Sequence, residues 1–166
     1  MCVVDEDLLH DFDVKYVGAL RCARAVIPYL KAQGWGRIIN ISGTNARNAG
    51  NLSGGARNVS LVHLTKTLAV QLGRHGITVN CIHPGVTRTE RTPGLLAARA
   101  AQLGVSPEEA ERRDFAAGSP RGNSIGRMVD AEEIGYVTVF LASDKAWSVT
   151  GELIVANGGA GQSVYY

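Results

Sequence analysis

Gly36-Arg37-Ile38-Ile39-Asn40-Ile41-Ser42 is a short β-branched run, with turn-forming Gly34 just before it and Gly43 just after it. Two other stretches share its form. Gly76-Ile77-Thr78-Val79-Asn80-Cys81-Ile82 stops at Pro84-Gly85, and Glu152-Leu153-Ile154-Val155-Ala156 ends in Asn157-Gly158-Gly159. Each reads as a strand buried on both faces, which is the pattern of a parallel sheet rather than a one-sided antiparallel one.

Helical periodicity fills the intervals. Leu61, Leu64, Leu68 and Leu72 make an apolar stripe at 3.6-residue spacing, closing near Gly73 or Gly76. An earlier helix spans about 8–31, with Val14, Val17, Ala19, Leu20, Ala23 and Ile27 on its apolar side. Pro28 is expected to kink or shorten it. Ser106-Pro107-Glu108-Glu109 has the serine, proline and glutamate of a capping box and announces a third helix. A fourth, over about 131–142, follows Asp130 as its cap. Helix–strand–helix–strand–helices–strand predicts right-handed crossovers in an α/β parallel sheet. The stretch 84–129 is the longest excursion and is expected to form a substrate-side lid.

Composition narrows the class. With 166 residues, 45% hydrophobic and 19% charged, the chain is expected to fold as a single domain over 1–166. No apolar run approaches the ~18–20 residues of a membrane helix. Asp5, Glu6 and Asp7 have the wrong charge for a secretory or mitochondrial leader. Cys2, Cys22 and Cys81 are far apart and in no CxxC spacing, so a disulfide framework or cysteine metal site is not expected and a reducing cytoplasm is. Net charge +2, with no basic stretch interleaved with aromatics, gives no case for nucleic acid. The 20 glycines imply many tight turns.

Four stretches, in order, resemble the short-chain dehydrogenase/reductase family. They are 36–42, Leu64-Thr65-Lys66-Thr67-Leu68-Ala69 with 76–80, and Pro84-Gly85-Val86-Thr87-Arg88-Thr89. The fourth runs from Gly126-Arg127 through Glu133-Ile134, Phe140-Leu141-Ala142-Ser143 and Thr150-Gly151-Glu152 to Asn157-Gly158-Gly159. The resemblance covers about 8–161 and corresponds to the family's second, C-terminal half. It implies a partial Rossmann-like, doubly wound parallel sheet with flanking helices, without the N-terminal strand–glycine turn–helix that holds the dinucleotide pyrophosphate. The late glycines 158, 159 and 161 follow a strand and precede no helix, so they are expected to form a C-terminal turn.

The resemblance also implies an NAD- or NADP-linked oxidoreductase. Ser42 matches the family's carbonyl-polarising serine. Pro84, Gly85, Val86 and Thr89 match its nicotinamide-contacting turn. Counting from Leu64-Thr65-Lys66, the tyrosine that carries the alcohol proton falls on Gly54 and its lysine partner on Asn58. Counting from Phe12-Asp13-Val14, the family's asparagine falls on Lys15. The five tyrosines are at 16, 29, 136, 165 and 166, none of them between Ser42 and Leu64. Glycine has no proton to give, and a neutral asparagine cannot depress a neighbour's pKa as a cation does.

The chain is therefore expected to be catalytically impaired when alone. The same lineage leaves two forms open: a C-terminal portion of a longer polypeptide, or a pseudoenzyme that assembles with a complete family member. As a portion, its 36–42 strand would present Ile38, Ile39 and Ile41 on a bare edge. The family's interface helices, at about 8–31 and 60–73, imply a homo-oligomer (dimer or tetramer) or a family partner subunit.

Several residues carry open alternatives. Asn58 reads as facing solvent or capping Ser53-Gly54, or else as a ribose contact. His83 reads as strand-end packing or as a ligand neighbour. Arg47 and Arg57 read as exposed or as binding an anion near Ser42. The seven arginines from Arg88 to Arg127, offset by acids, read as a solvated lid surface. No histidine pair sits at metal-ligand spacing.

Overall fold

The computed structural model describes residues 4–162, and its chain divides into two compact units. One takes Met1–His83 with Val137–Val155, and the other takes Pro84–Tyr136 with Ala156–Tyr166.

The first unit opens with a helix in three parts: α1 (Asp5–Phe12), a π-turn over Asp13–Val17, and α2 (Gly18–Gln33). Pro28 lies inside α2 and does not end it, which corrects the expectation of a shortened helix. Proline forfeits one backbone hydrogen bond, but Ile27 and Leu30 on either side of it pack against the core and hold the helix through it. Gly34, with φ 66°, ends α2 in the left-handed conformation.

β1 (Gly36–Ile41), α3 (Leu52–Leu72), β2 (Ile77–Pro84) and β5 (Leu153–Ala156) complete the layers, with the strands in the order β1-β2-β5. β1 and β2 are parallel, with Gly36 opposite Ile77 and Ile41 opposite Ile82. Only the central strand is buried along its length; β1 and β5 are half-buried, and Ile41 is exposed. The sequence pattern predicts burial on both faces for all three strands. It holds only where a neighbouring strand lies on each side.

The core follows from the leucine stripe. Leu61, Leu64, Leu68 and Leu72 of α3 join Ala23 of α2 and Ile77 and Val79 of β2, with Leu20, Ile27 and Ile38 packed against them. Burying each of the large side chains contributes roughly 1.5–3 kcal/mol. α3 begins well before the stripe, because Asn51 caps it: its Oδ1 accepts the Gly54 N–H at 2.6 Å. Gly76, with φ 72°, turns the chain from α3 into β2, where a Cβ would stand 2.0 Å from the Gly34 carbonyl oxygen. Only glycine fits there.

At the start of β1, the Arg37 guanidinium lies 4.6 Å from the Trp35 ring centroid and 5.1 Å from that of Trp147. Its side chain is only 4% exposed, and Asp144 accepts from both Arg37 and the Trp35 indole. Two aromatic faces and one carboxylate compensate a charge that would be costly to bury alone.

The second unit holds β3 (Thr87–Arg88), α4 (Thr92–Leu103), α5 (Pro107–Asp114) and β4 (Val129–Asp130), and β3 pairs with β4 in parallel. Ser106 caps α5 as its spacing predicts, with Oγ accepting the Glu109 N–H. α6 (Ala131–Ala142) starts where Asp130 predicts, and the unit boundary falls within it. There Glu133 accepts the Asp130 N–H at 2.8 Å and two hydrogen bonds from Arg127. The Arg127 bonds, then the backbone one, hold the Glu133 carboxyl down at about 2. Most of the arginines from Arg88 to Arg127 are paired: Arg99 and Arg121 with Asp114, Arg112 and Arg113 with Glu109, and Arg88 with Glu111 and Asp130. Cys22 and Cys81 are free thiols, while Cys2, Tyr165 and Tyr166 lie outside the described residues. No described helix is long and apolar enough to cross a membrane.

Candidate functional site

Ser42 follows the last residue of β1 and is buried. Its N–H donates to the Ile82 carbonyl at 2.9 Å, continuing the ladder by one residue. Its hydroxyl donates to the backbone carbonyl of Asn58 at 3.0 Å. The Cys81 thiol lies beside it on β2. Burial pushes that thiol up, against hydrogen bonding with Thr65 and Ser42 that favours the thiolate.

Asn58 and Gly54 sit one turn apart on α3, at the positions where the resemblance expects lysine and tyrosine. Asn58 is buried, which corrects the reading of a solvent-facing or capping residue. A Cβ built on Gly43 would meet Asn58 Nδ2 at 3.0 Å, so the amide fills the space behind the Ser42–Gly43 turn. Asn51 performs the capping instead. Over Gly54, Asn51 Oδ1 and Asn45 Nδ2 lie 3.2 and 3.4 Å from where a Cβ would stand. Two amides border the place of the expected phenol.

Lys15 is carried on the π-turn, and it is half-buried. Burial lowers its pKa, the charge of Arg57 lowers it further, and Cys81 opposes them. Asp11 stands one turn earlier, where i and i+4 share a helix face. Its carboxylate accepts from Arg57 Nη1 at 2.7 Å and from the Ser53 hydroxyl, tying α1 to α3. The Arg57 charge is thus committed to Asp11 rather than offered to an anion, although its buried Nε has no partner among the described residues. Lysine and asparagine, expected on α3 and on the first helix, stand exchanged between the two.

His83 is fully buried at the end of β2, and neither ring nitrogen has a hydrogen-bond partner among the described residues. Burial first, then the charge of Arg47, lowers its pKa to about 4, against a favourable backbone interaction at Gly43.

In the second unit, Pro84 ends β2, Gly85 and Val86 make the bend into β3, and Thr89 follows β3. The Gly85 N–H donates to the Ala156 carbonyl at 3.1 Å, and a Cβ there would stand 2.7 Å from Asn157 Cα. The position therefore accepts glycine only. The Val86 carbonyl accepts from the Val129 N–H at 3.0 Å, and the Val86 side chain is exposed. The Thr89 N–H donates to Thr92 Oγ1, while its hydroxyl oxygen accepts from the Arg91 N–H and keeps its own proton to donate. Beside this turn is a cavity of about 400 Å³ whose lining includes Val86, Leu95, Leu96, Phe115 and Met128, with Arg99 at its wall. The Leu95-Leu96 pair on α4, between Pro93 and Gly104, is the sequence signal for it.

The late glycines do not suit a pyrophosphate. Asn157 Oδ1 already accepts the Gly159 and Ala160 N–H groups at 3.0 and 3.2 Å. The space beside Gly158 and Gly159 is filled by Asn123, Ile125 and Ser124. These glycines close a turn on their own chain, as the sequence predicts.

Comparison with known proteins gives this arrangement its family. Residues 3–161 match the family model described as enoyl-(acyl carrier protein) reductase. The chain is 36% identical to a short-chain reductase protein, NovJ, of Streptomyces niveus, over 89% of this chain and 53% of that protein. It is 37% identical to the 3-oxoacyl-[acyl-carrier-protein] reductase FabG of Pseudomonas aeruginosa, over 84% and 51%. The crystal structure of YwfH, an NADPH-dependent reductase involved in bacilysin biosynthesis, superposes with a TM-score of 0.86 at 29% identity, over 98% of this chain and 61% of that one. The chain belongs to the short-chain dehydrogenase/reductase family. It spans about half to three-fifths of the length of these relatives and corresponds to their C-terminal portion.

Proposed function

We propose that this chain is the serine-bearing portion of an NAD(P)-linked oxidoreductase in which ordinary hydride-transfer catalysis is impaired. Gly54 carries the reading. By the resemblance its hydrogen atom stands where the family's proton-donating tyrosine would be, and the nearest side chains there are the amides of Asn45 and Asn51. An amide is far too weak an acid to serve an alkoxide at neutral pH, and loss of a general acid typically costs 10²–10⁴-fold. In this reading Ser42 orients a carbonyl. Pro84, Gly85, Val86 and Thr89 present the nicotinamide-contacting turn for NAD or NADP, as the resemblance implies. Relatives named as NADPH-dependent support the cofactor class. The occupied glycine turn argues that the 166 residues alone bind it weakly.

A second reading, a non-catalytic subunit that assembles with a complete family member, is favoured by the exposed apolar residues of the first three helices. Leu9, Val14, Tyr29, Val59 and Val70 all face outward. A homo-oligomer, dimer or tetramer, would cover the same residues. Native mass spectrometry separates the two by whether a family partner or a second copy accompanies the chain.

Ketone-dependent NADH and NADPH oxidation by the natively expressed protein tests impairment. Expected is no turnover above the uncatalysed rate, with a gain on Gly54→Tyr together with Asn58→Lys. Turnover by the unaltered protein at ordinary enzymatic rates of roughly 1–10³ s⁻¹ would contradict it.

A further inference from the structure

The cavity of about 400 Å³ in the second unit is large enough for a small molecule, since ligand pockets run to ~300–1,000 Å³. Phe115 and Met128 line it and are both buried. Thr92 is its buried polar residue, and its Oγ1 already accepts the Thr89 N–H at 2.8 Å. Val86 and Leu95 line the same space yet are 55% and 68% exposed. Open apolar side chains that continue into a cavity with an apolar interior mark a surface that a ligand covers.

Among the described residues, the charged groups lining the cavity are Arg99 of α4, Asp114 at the end of α5, and Arg121. The Asp114 side chain is only 13% exposed and takes both arginines. Arg99 approaches it with Nε at 3.2 Å and Nη2 at 2.9 Å, and Arg121 Nε lies 3.2 Å from Oδ2. One carboxylate set against two guanidinium groups leaves a single positive charge on this wall. The bonds to Asp114 use Nε and Nη2 of Arg99, so the two N–H groups of its Nη1 remain for a second acceptor. Asp114 thus fixes the plane of the Arg99 guanidinium without neutralising the pair of cations.

We propose that this cavity binds an apolar monocarboxylate, its alkyl chain against Val86, Leu95, Phe115 and Met128 and its carboxylate on the arginines of the charged wall. The surplus of one positive charge selects a ligand with one negative charge. A carboxylate accepts from guanidinium groups in the planar, charge-assisted geometry that arginine favours. A neutral alcohol of the same length would bury the same chain and leave the charge uncompensated. No bond forms or breaks, and the inference does not depend on the readings of Gly54 or Ser42, because every lining residue belongs to the second unit.

The test is ¹H–¹³C NMR of the unaltered protein carrying ¹³C-methyl methionine, titrated with octanoate and, separately, with 1-octanol. The chain has two methionines, Met1 and Met128, and Met128→Leu assigns the signal that reports on the cavity. Expected is a saturable shift of the Met128 methyl with octanoate, and a requirement for at least about tenfold more 1-octanol to reach the same shift. Arg99→Gln, which leaves Asp114 paired with Arg121 and the wall neutral, should weaken octanoate by about tenfold and leave 1-octanol unchanged. A Met128 methyl unmoved by octanoate would overturn the proposal. Equal affinity for the acid and the alcohol would also overturn it, by showing an apolar cavity that does not read charge. The comparison of the two probes needs no substitution at the arginines, so it decides the matter even where Arg99→Gln misfolds.

Discussion

The hydroxyl of Ser42 donates its one proton to the backbone carbonyl of Asn58, 3.0 Å away on α3. The group that would orient a carbonyl is thus held against the helix that carries the family's proton chemistry, at the position where lysine is expected. Ser42 stabilises the fold in this state and must leave it to serve a ligand. A buried hydrogen bond of this kind contributes roughly 0.5–1.5 kcal/mol net. Ser42→Ala is expected to lower unfolding free energy by about 1 kcal/mol in denaturant titration. A loss near zero would mean that the bond does not persist in solution.

His83 predicts a pH dependence of stability. Its pKa of about 4 in the folded chain lies below the usual 6.5. Between those values the unfolded chain binds the proton and the folded chain does not, so stability is complete above about pH 6.5. It is lost as pH falls toward 4, by up to about 3 kcal/mol. His83→Phe should remove this segment of the stability–pH curve, measured by urea midpoints at intervals of pH. An unchanged curve would contradict the buried neutral ring.

Lys15 should titrate below the ordinary lysine value, because burial and then the Arg57 charge lower its pKa. Reductive ¹³C-methylation followed by NMR titration reads each lysine separately. Arg57→Gln should move the Lys15 transition upward, since it removes the second cause of the depression. A Lys15 transition at the ordinary lysine value would contradict its burial beside Arg57.

The leucine stripe sets the expected cost of core damage. Leu64→Ala and Leu72→Ala each open a cavity under the sheet and should cost roughly 2–5 kcal/mol, read as a lowered urea midpoint. Losses within about 0.5 kcal/mol, the size of ordinary surface effects, would place the core elsewhere.

Much of this architecture is legible in the residues. The three main strands, the four-leucine face, the Ser106 cap and the start at Asp130 each rest on local chemistry that the sequence displays directly. α4 is hidden when 84–129 is read as one lid. Its Pro93 near the start and Gly104 just past the end are the available signals. The early start of α3 is masked by Gly54-Gly55, weak helix formers that the Asn51 cap and the packing of the following turns override. β3 and β4 have two residues each and no periodicity to detect. At the site, Ser42 and the Pro84–Thr89 turn come from motif resemblance. The burial of Asn58 and the orphaned ring of His83 depend on which residues meet across β1, β2 and α3, and no local pattern carries that information.

In the proposed reading, these 166 residues hold the serine side of a reductase-family site without a working phosphate cradle or proton donor. Isothermal titration of the purified, sized chain with NADH and NADPH addresses this without any variant. Because Asn157 already holds the N–H groups of the late glycine turn, the expected result is no binding heat up to millimolar cofactor. Micromolar binding of either nucleotide would contradict the reading and show that these residues, or a second copy of them, supply a phosphate site of their own.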